Sequence, residues 1–150
     1  GFLFKVAAVP FHMWVPDVYE GAPVPVTGFM TSAVKAAVFA TFIRILVQFG
    51  FGKPEWNAFQ TSVYQLLWWS AAITMLVGNL AALPQNNLKR IFAYSSIAHT
   101  GYLLIGVIAA LKNKAVFGST ILYLVSYVFI SLGAFGVLTL LAKKADTGLN

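Results

Sequence analysis

The chain has 150 residues, of which 59% are apolar and 9% charged, with a formal net charge of +6 and no cysteine. Globular domains average about 45–50% apolar and about 25% charged residues, so a single soluble core could not absorb this apolar surface and still present a charged exterior. Without cysteine there are no disulfides and no thiolate metal sites, and the cations, scattered mostly through short connectors, form no basic patch of the kind nucleic acid requires.

Residues 1–23 do not read as one span. The opening "GFLFKVAAV" has a helical pattern, but at about 1.5 Å per residue it crosses only about half of a bilayer core of about 30 Å. No Met and no charged segment precede it, which argues against a signal peptide; the simplest expectation is a fragment that begins inside a helix. The chain stops at "KKADTGLN" with nothing that closes a domain, so the middle of a larger polytopic protein is expected. Pro10 removes a backbone donor and turns Val9 away from helix, and Pro16, Pro23 and Pro25 repeat the interruption. Irregular backbone at membrane depth is tolerated only where protein buries it or where it lines a wet cavity, and broken helices are a common way to build ion sites near the midplane. His12, just after the break, either bridges Lys5 to water or caps freed carbonyls. Asp17 and Glu20 read as anchors at the start of a half-helix near the surface, with a proton-collecting mouth as the alternative.

Apolar stretches follow over residues 26–49, 62–83, 88–111 and 117–142, each longer than the roughly 20 residues a spanning helix needs. The fold class is therefore an all-α polytopic membrane protein, a bundle of transmembrane helices with one Pro-broken helix at about residues 1–23. Short connectors join the spans. Counting alternate sides places Lys89, Arg90, Lys143 and Lys144 on one face and Lys53, Lys112 and Lys114 on the other, with Arg44 near that second end. The weak excess puts the "LKR" side in the cytoplasm, and Trp56, Trp68 and Trp69 toward the opposite interface.

Polar residues recur on single helix faces. Thr27, Thr31 and Lys35 form one stripe, Ser95, His99 and Tyr102 a second, and Ser119, Tyr123, Tyr127 and Ser131 a third. The third reads as interhelical hydrogen bonding. The first two contain ionisable groups and read as functional. Lys35 lies roughly 13 Å into its helix at about 1.5 Å per residue, His99 at a similar depth, and Lys5 well inside apolar sequence. Placing such groups at mid-membrane costs at least about 2–3 kcal/mol each unless they are paired or wetted. Desolvation penalises the charged form of a buried amine, so a group of this kind changes charge readily when a neighbouring charge moves, which is what a proton relay needs. No Asp or Glu occurs from Trp56 to Ala145, so carboxylates that would balance Lys5 or Lys35 at mid-membrane are expected outside this chain.

"PFHMWVPDVYEGAPVPV", "SAVKAA" and "NLKRIFAYSSIAHTGYL", in that order and spacing, resemble the antiporter-like membrane subunits of proton-pumping NADH:quinone oxidoreductase, respiratory complex I. The resemblance covers essentially the whole chain, and "DVYEGAP" with a lysine in the next helix looks most like the subunit N branch. It implies a subunit of about fourteen helices, of which these are the seventh through eleventh. It also implies that Lys5 is the lysine of the broken helix, paired in the family with a glutamate on the absent fifth helix. Lys35 corresponds to the bridging lysine of the eighth helix, and His99 falls where several members carry a polar relay residue. The implied function is proton translocation driven by NADH-to-quinone electron transfer in other subunits, with Lys5, Lys35 and His99 as relay. The implied partners are other membrane subunits, lipid and protons, and the implied location is a bacterial inner (plasma) membrane. No cofactor is expected in this chain, since no glycine-rich fingerprint opens a strand–helix unit and cysteine is absent; NADH and quinone would be used elsewhere in the complex. The nearest rival is a subunit of an Mrp-type cation/proton antiporter or membrane-bound hydrogenase, separated by the "DVYEGAP" segment. A purely structural membrane subunit is the rival of another class. A membrane enzyme has no Ser/His/Asp set, H-E-x-x-H or paired carboxylate to stand on.

Overall fold

The computed structural model describes residues 1–51, 57–113 and 115–146, the last three without their side chains. Lys53, Trp56 and Lys114, and the side chain of Lys144, therefore lie outside the described residues. The elements in order are α1 (Phe2–Lys5), α2 (Trp14–Gly21), α3 (Val24–Phe29), a π-helical turn (Met30–Val34), α4 (Lys35–Gln48), α5 (Ala58–Ala82), α6 (Leu88–Lys112) and α7 (Val116–Asp146). No strand occurs among the described residues. Four helices are long and apolar enough to cross a membrane: Val24–Gln48, which joins α3, the π turn and α4, then Ala58–Ala82, Leu88–Lys112 and Val116–Lys143. The chain is an all-α integral membrane protein.

Local chemistry sets the ends of the spans. Pro23 and Pro25 flank the start of α3, where the first-turn N–H groups would have no helical partner in any case. Gly50, at φ 84°, ends α4, and the N–H groups of Gly50 and Phe51 donate back to the carbonyls of Val47 and Leu46 at 3.0 and 3.2 Å. Asn57 and Gln60 cap α5 reciprocally, backbone to side chain, both at 2.9 Å. This cap starts α5 ahead of its apolar stretch and so places Trp68 and Trp69 well inside the helix, roughly 15 Å from its start at about 1.5 Å per residue. The two rings pack edge to face at 4.8 Å, at mid-span rather than in an interfacial belt.

The centre of the bundle is α6, the most buried of the four spans. It lies closely along α5, because small residues meet there. A Cβ on Gly78 would fall 2.6 Å from the backbone nitrogen of Ala98, and one on Gly101 would fall 3.0 Å from the carbonyl oxygen of Ala71. Close backbone approach at small residues is how helices associate in lipid, where burial alone gives no drive. One apolar cluster joins Val6, Phe39, Phe42, Leu103 and Leu104; another joins Val15, Tyr19, Ile97 and Phe135.

Between α1 and α2 the backbone is irregular, with Ala7 left-handed at φ 61° and a cis bond between Val9 and Pro10. A left-handed alanine costs roughly 1–2 kcal/mol, and each orphaned peptide group in lipid costs several more. The neighbouring helices supply the missing partners. The Val9 N–H donates to Thr74 Oγ1 at 2.9 Å, Ser70 Oγ donates to the Val9 carbonyl at 3.2 Å, and Thr100 Oγ1 donates to the Val6 carbonyl at 2.7 Å. Thr74 and Thr100 are fully buried. The break is thus held by side chains of α5 and α6.

Candidate functional site: a buried lysine among hydroxyls

Lys35 follows the π turn directly, and its side chain crosses to α6. It is 5% exposed. Its Nζ donates to the carbonyl oxygen of Ser96 at 2.6 Å and to Ser96 Oγ at 2.7 Å, and it stands 5.1 Å from the centroid of the Tyr127 ring. Ser96 Oγ also accepts from Tyr127 Oη at 3.0 Å and lies 3.4 Å from Tyr19 Oη. Thr31 Oγ1 in turn donates to Tyr19 Oη. Among the described residues the ammonium forms no ion pair; a carbonyl, a hydroxyl and an aromatic face balance it.

His99 sits one turn further along α6. Its Nδ1 shares a hydrogen bond of 2.6 Å with Tyr123 Oη, and its ring lies 4.9 Å from that of Tyr127 and 5.5 Å from that of Tyr102. Tyr127 therefore neighbours both Lys35 and His99. A cavity of about 70 Å³ opens beside them, lined by Thr31, Ser95, Ser96, His99, Tyr127 and Ser131 with Phe92, Ile130, Ala134 and Phe135. That volume exceeds the roughly 10–15 Å³ needed to seat one water, and the lining offers the polar partners a water requires.

Lys5 is placed apart from this cluster. It ends α1 exposed, beside an open, mostly apolar cavity of about 430 Å³ that also touches Phe2, Phe4, Val34 and Val38. No hydrogen bond or ion pair engages its side chain among the described residues. His12 Nδ1 is buried with no hydrogen-bond partner among the described residues, while its carbonyl accepts from the Val15 N–H at 3.1 Å.

The acids of the proline-rich segment are engaged at the other end of α6. Arg90 Nη1 contacts Asp17 Oδ1 at 3.1 Å and Glu20 Oε2 at 2.6 Å, and Asn87 Nδ2 donates to Glu20 Oε1 at 2.9 Å. Lys89 Nζ donates to the carbonyls of Glu20 and Ala22 at 3.1 and 2.9 Å. The hydrogen bond from Arg90, and then the charges of Arg90 and Lys89, hold the Glu20 carboxyl below its usual range. The cluster clasps α2 to the start of α6. No three His, Cys, Asp or Glu side chains among the described residues gather where they could hold a metal ion.

Two participants were not marked by periodicity: Ser96, rather than its neighbour Ser95, meets the lysine, and Tyr19 reaches the site from the broken segment. Tyr123 and Tyr127 belong to the stripe read as interhelical hydrogen bonding, and they bond to His99 and Ser96 of α6. The doublet "SS" and the tyrosine of "DVYEG" carried the only trace of this, because a pattern along one helix says nothing about which residue a neighbouring helix meets.

Comparison with known proteins bears on what such a site does. The profile of the family described as NADH:quinone oxidoreductase/Mrp antiporter, transmembrane, matches residues 1–148. A protein of Gemmatimonas aurantiaca named NADH-quinone oxidoreductase subunit N is 52% identical over 92% of this chain and 25% of its own length. Its namesake in Trichlorobacter lovleyi is 48% identical over 97% of this chain and 28% of its own. The chain thus spans about a quarter of the length of these relatives. Among solved structures, a chain of respiratory complex I from Thermus thermophilus with bound aureothin superposes with a TM-score of 0.72 at 40% identity, over 93% of this chain and 28% of that one.

Proposed function

Because the chain belongs to the family of NADH:quinone oxidoreductase and Mrp antiporter transmembrane subunits, we propose that it is the central part of a subunit that carries protons across the membrane. In this reading Lys5, Lys35 and His99 form the relay, NADH and quinone react in other subunits, and the complex resides in a bacterial plasma membrane. The observation that carries the reading is the Lys35 ammonium, enclosed within the span and balanced among the described residues by dipoles alone, with His99 on the same polar cavity. A charge held this way is poised to leave when a second charge arrives.

The distances support coupling between the two groups. The Tyr127 ring lies 5.1 Å from Lys35 Nζ and 4.9 Å from the His99 ring, which puts the cations within about 10 Å of each other. Two unit charges at that separation repel by on the order of 1–2 kcal/mol at an effective dielectric constant of about 20. A proton reaching His99 therefore disfavours the one on Lys35, and the reverse holds equally. Among the described residues Lys5 has no counter-charge, which agrees with a carboxylate supplied by another helix of the full subunit. The Mrp-type reading shares all of this geometry; the names of the relatives and the "DVYEGAP" segment favour complex I.

The test is proton pumping and quinone reduction measured side by side in membrane vesicles, with Lys35→Ala or Lys5→Ala in the full-length subunit. Assembled complexes in which both rates fall together, roughly tenfold or more for loss of a group worth about 1.4 kcal/mol or more to the rate-limiting step, support the relay. Assembled complexes with both rates at the wild-type level would make these lysines packing groups and sink the proposal. Loss of assembly with intact pumping per complex would favour a structural role.

A further inference from the structure

We propose that Ser96 is a positioning residue for Lys35, a hydroxyl that reverses its hydrogen-bond direction so that the lysine can change charge without leaving a buried polar atom unpaired. This rests on the relay reading above. A serine hydroxyl offers one donor and two acceptor sites, and Ser96, 4% exposed, meets three partners from three elements. They are Lys35 Nζ at 2.7 Å, Tyr127 Oη at 3.0 Å and Tyr19 Oη at 3.4 Å.

With Lys35 charged, Nζ has only donors to offer, and two of them meet the Ser96 carbonyl and Oγ. Ser96 Oγ then accepts from Lys35 and Tyr127, and its own proton points to Tyr19. With Lys35 neutral, the amine keeps two N–H donors and gains a lone pair, which in a buried site must be met by a donor. Rotation of the Ser96 hydroxyl supplies it, and the contact with Tyr19, in which either oxygen can donate, runs the other way. Ser96 still accepts twice and donates once. Its carbonyl oxygen accepts from Nζ at 2.6 Å in both states, so the nitrogen stays in place while the bond pattern inverts. No heavy-atom bond changes and no proton passes through Ser96. Among the described residues, Thr31 donates to Tyr19, Thr100 Oγ1 donates to the same Ser96 carbonyl at 3.2 Å, Ser95 and Ser131 line the cavity, and the His99 ring lies 4.9 Å from that of Tyr127; none of these is a hydrogen-bond partner of the lysine's nitrogen.

The experiment compares Ser96→Ala, Ser96→Thr and Lys35→Ala in the full-length subunit within its complex, scoring assembly, quinone reduction and proton pumping. Alanine removes only the hydroxyl. Threonine keeps it, and the cavity of about 70 Å³ that Ser96 lines has room for the added methyl group. A hydrogen bond to a charged group is worth about 1.5–3 kcal/mol, so Ser96→Ala should assemble and lose coupled turnover by roughly tenfold or more, with Ser96→Thr restoring it to within about twofold. Wild-type turnover in Ser96→Ala beside an inactive Lys35→Ala overturns the Ser96 role and leaves the relay standing. Equal loss in both serine variants, or failure of Ser96→Ala to assemble, makes Ser96 a packing residue and also overturns it. An active Lys35→Ala removes the relay itself, independently of either serine variant.

Discussion

Substituting Gly78 by alanine tests the idea that the site is held in place by the α5–α6 contact. The added Cβ would lie 2.6 Å from Ala98 N, 2.9 Å from Ala98 Cα and 3.0 Å from Ala98 Cβ. Carbon contacts settle at about 3.5–4.0 Å, so the helices must part by on the order of 1 Å, and the atoms in the way are mostly backbone with no rotamer to change. Overpacking of this kind costs about 1–3 kcal/mol, against a gain of up to about 1 kcal/mol from replacing a helical glycine. The net is destabilisation on the order of 1–2 kcal/mol. Ala98 lies between Ser96 and His99 in sequence, so the same displacement shifts both relative to α4 and α7. The assay is the apparent melting temperature of the detergent-solubilised complex, read beside coupled turnover, with Gly118→Ala as reference because a Cβ there meets nothing within 4 Å in this chain. A fall in melting temperature and turnover for Gly78→Ala alone is expected. Equal behaviour of the two variants would show that α5 and α6 do not rely on this contact, and the argument for a rigid site would fail.

Two further expectations concern the flanks of the site. Arg90→Gln breaks the clasp on Asp17 and Glu20. Since Glu20 is held below its usual range, its contribution is complete above the ordinary carboxylate value, about 4.3, and is lost as pH falls through its own lower value. The gap in melting temperature between wild type and Arg90→Gln should therefore be full near about pH 7, close below about pH 4, and narrow with added salt; a gap that widens on acidification would contradict this. Thr74→Val keeps the shape of the side chain but orphans the Val9 N–H, at a cost of about 1–3 kcal/mol, which thermal melting of the complex should register. An unchanged melting temperature would mean that Val9 finds another partner.

The spans were legible because an apolar run of spanning length admits few alternatives in lipid. Lys35 and His99 stood out for the same reason, as ionisable groups at a depth where each must be explained. What the sequence concealed was pairing. Ser96 lies beside the residue that shares a stripe with His99, and Tyr19 belongs to no polar stripe; both enter the site because Lys35 reaches across to another helix. Nothing in the sequence marks Thr74, Ser70 and Thr100; the need for them lies in the irregular backbone they meet, which no pattern along α5 or α6 reveals. Lys5 was equally visible as a lysine in apolar sequence, yet whatever balances it is not among the described residues, and no pattern within one helix could have said so.

The partners of the broken segment also constrain the order in which the protein can be made. Val9 is met by Ser70 and Thr74, and Val6 by Thr100, positions that lie 61, 65 and 94 residues later in the chain. At about 5–20 residues per second the ribosome needs on the order of ten seconds to reach them. Until then the segment carries peptide groups that lipid cannot satisfy. It must wait in the water-lined insertion channel or at the headgroup layer, and it settles to full depth only when α5 and α6 arrive. Docking of this segment is thus delayed, with residues 6–9 settled only after helices synthesised later have reached them.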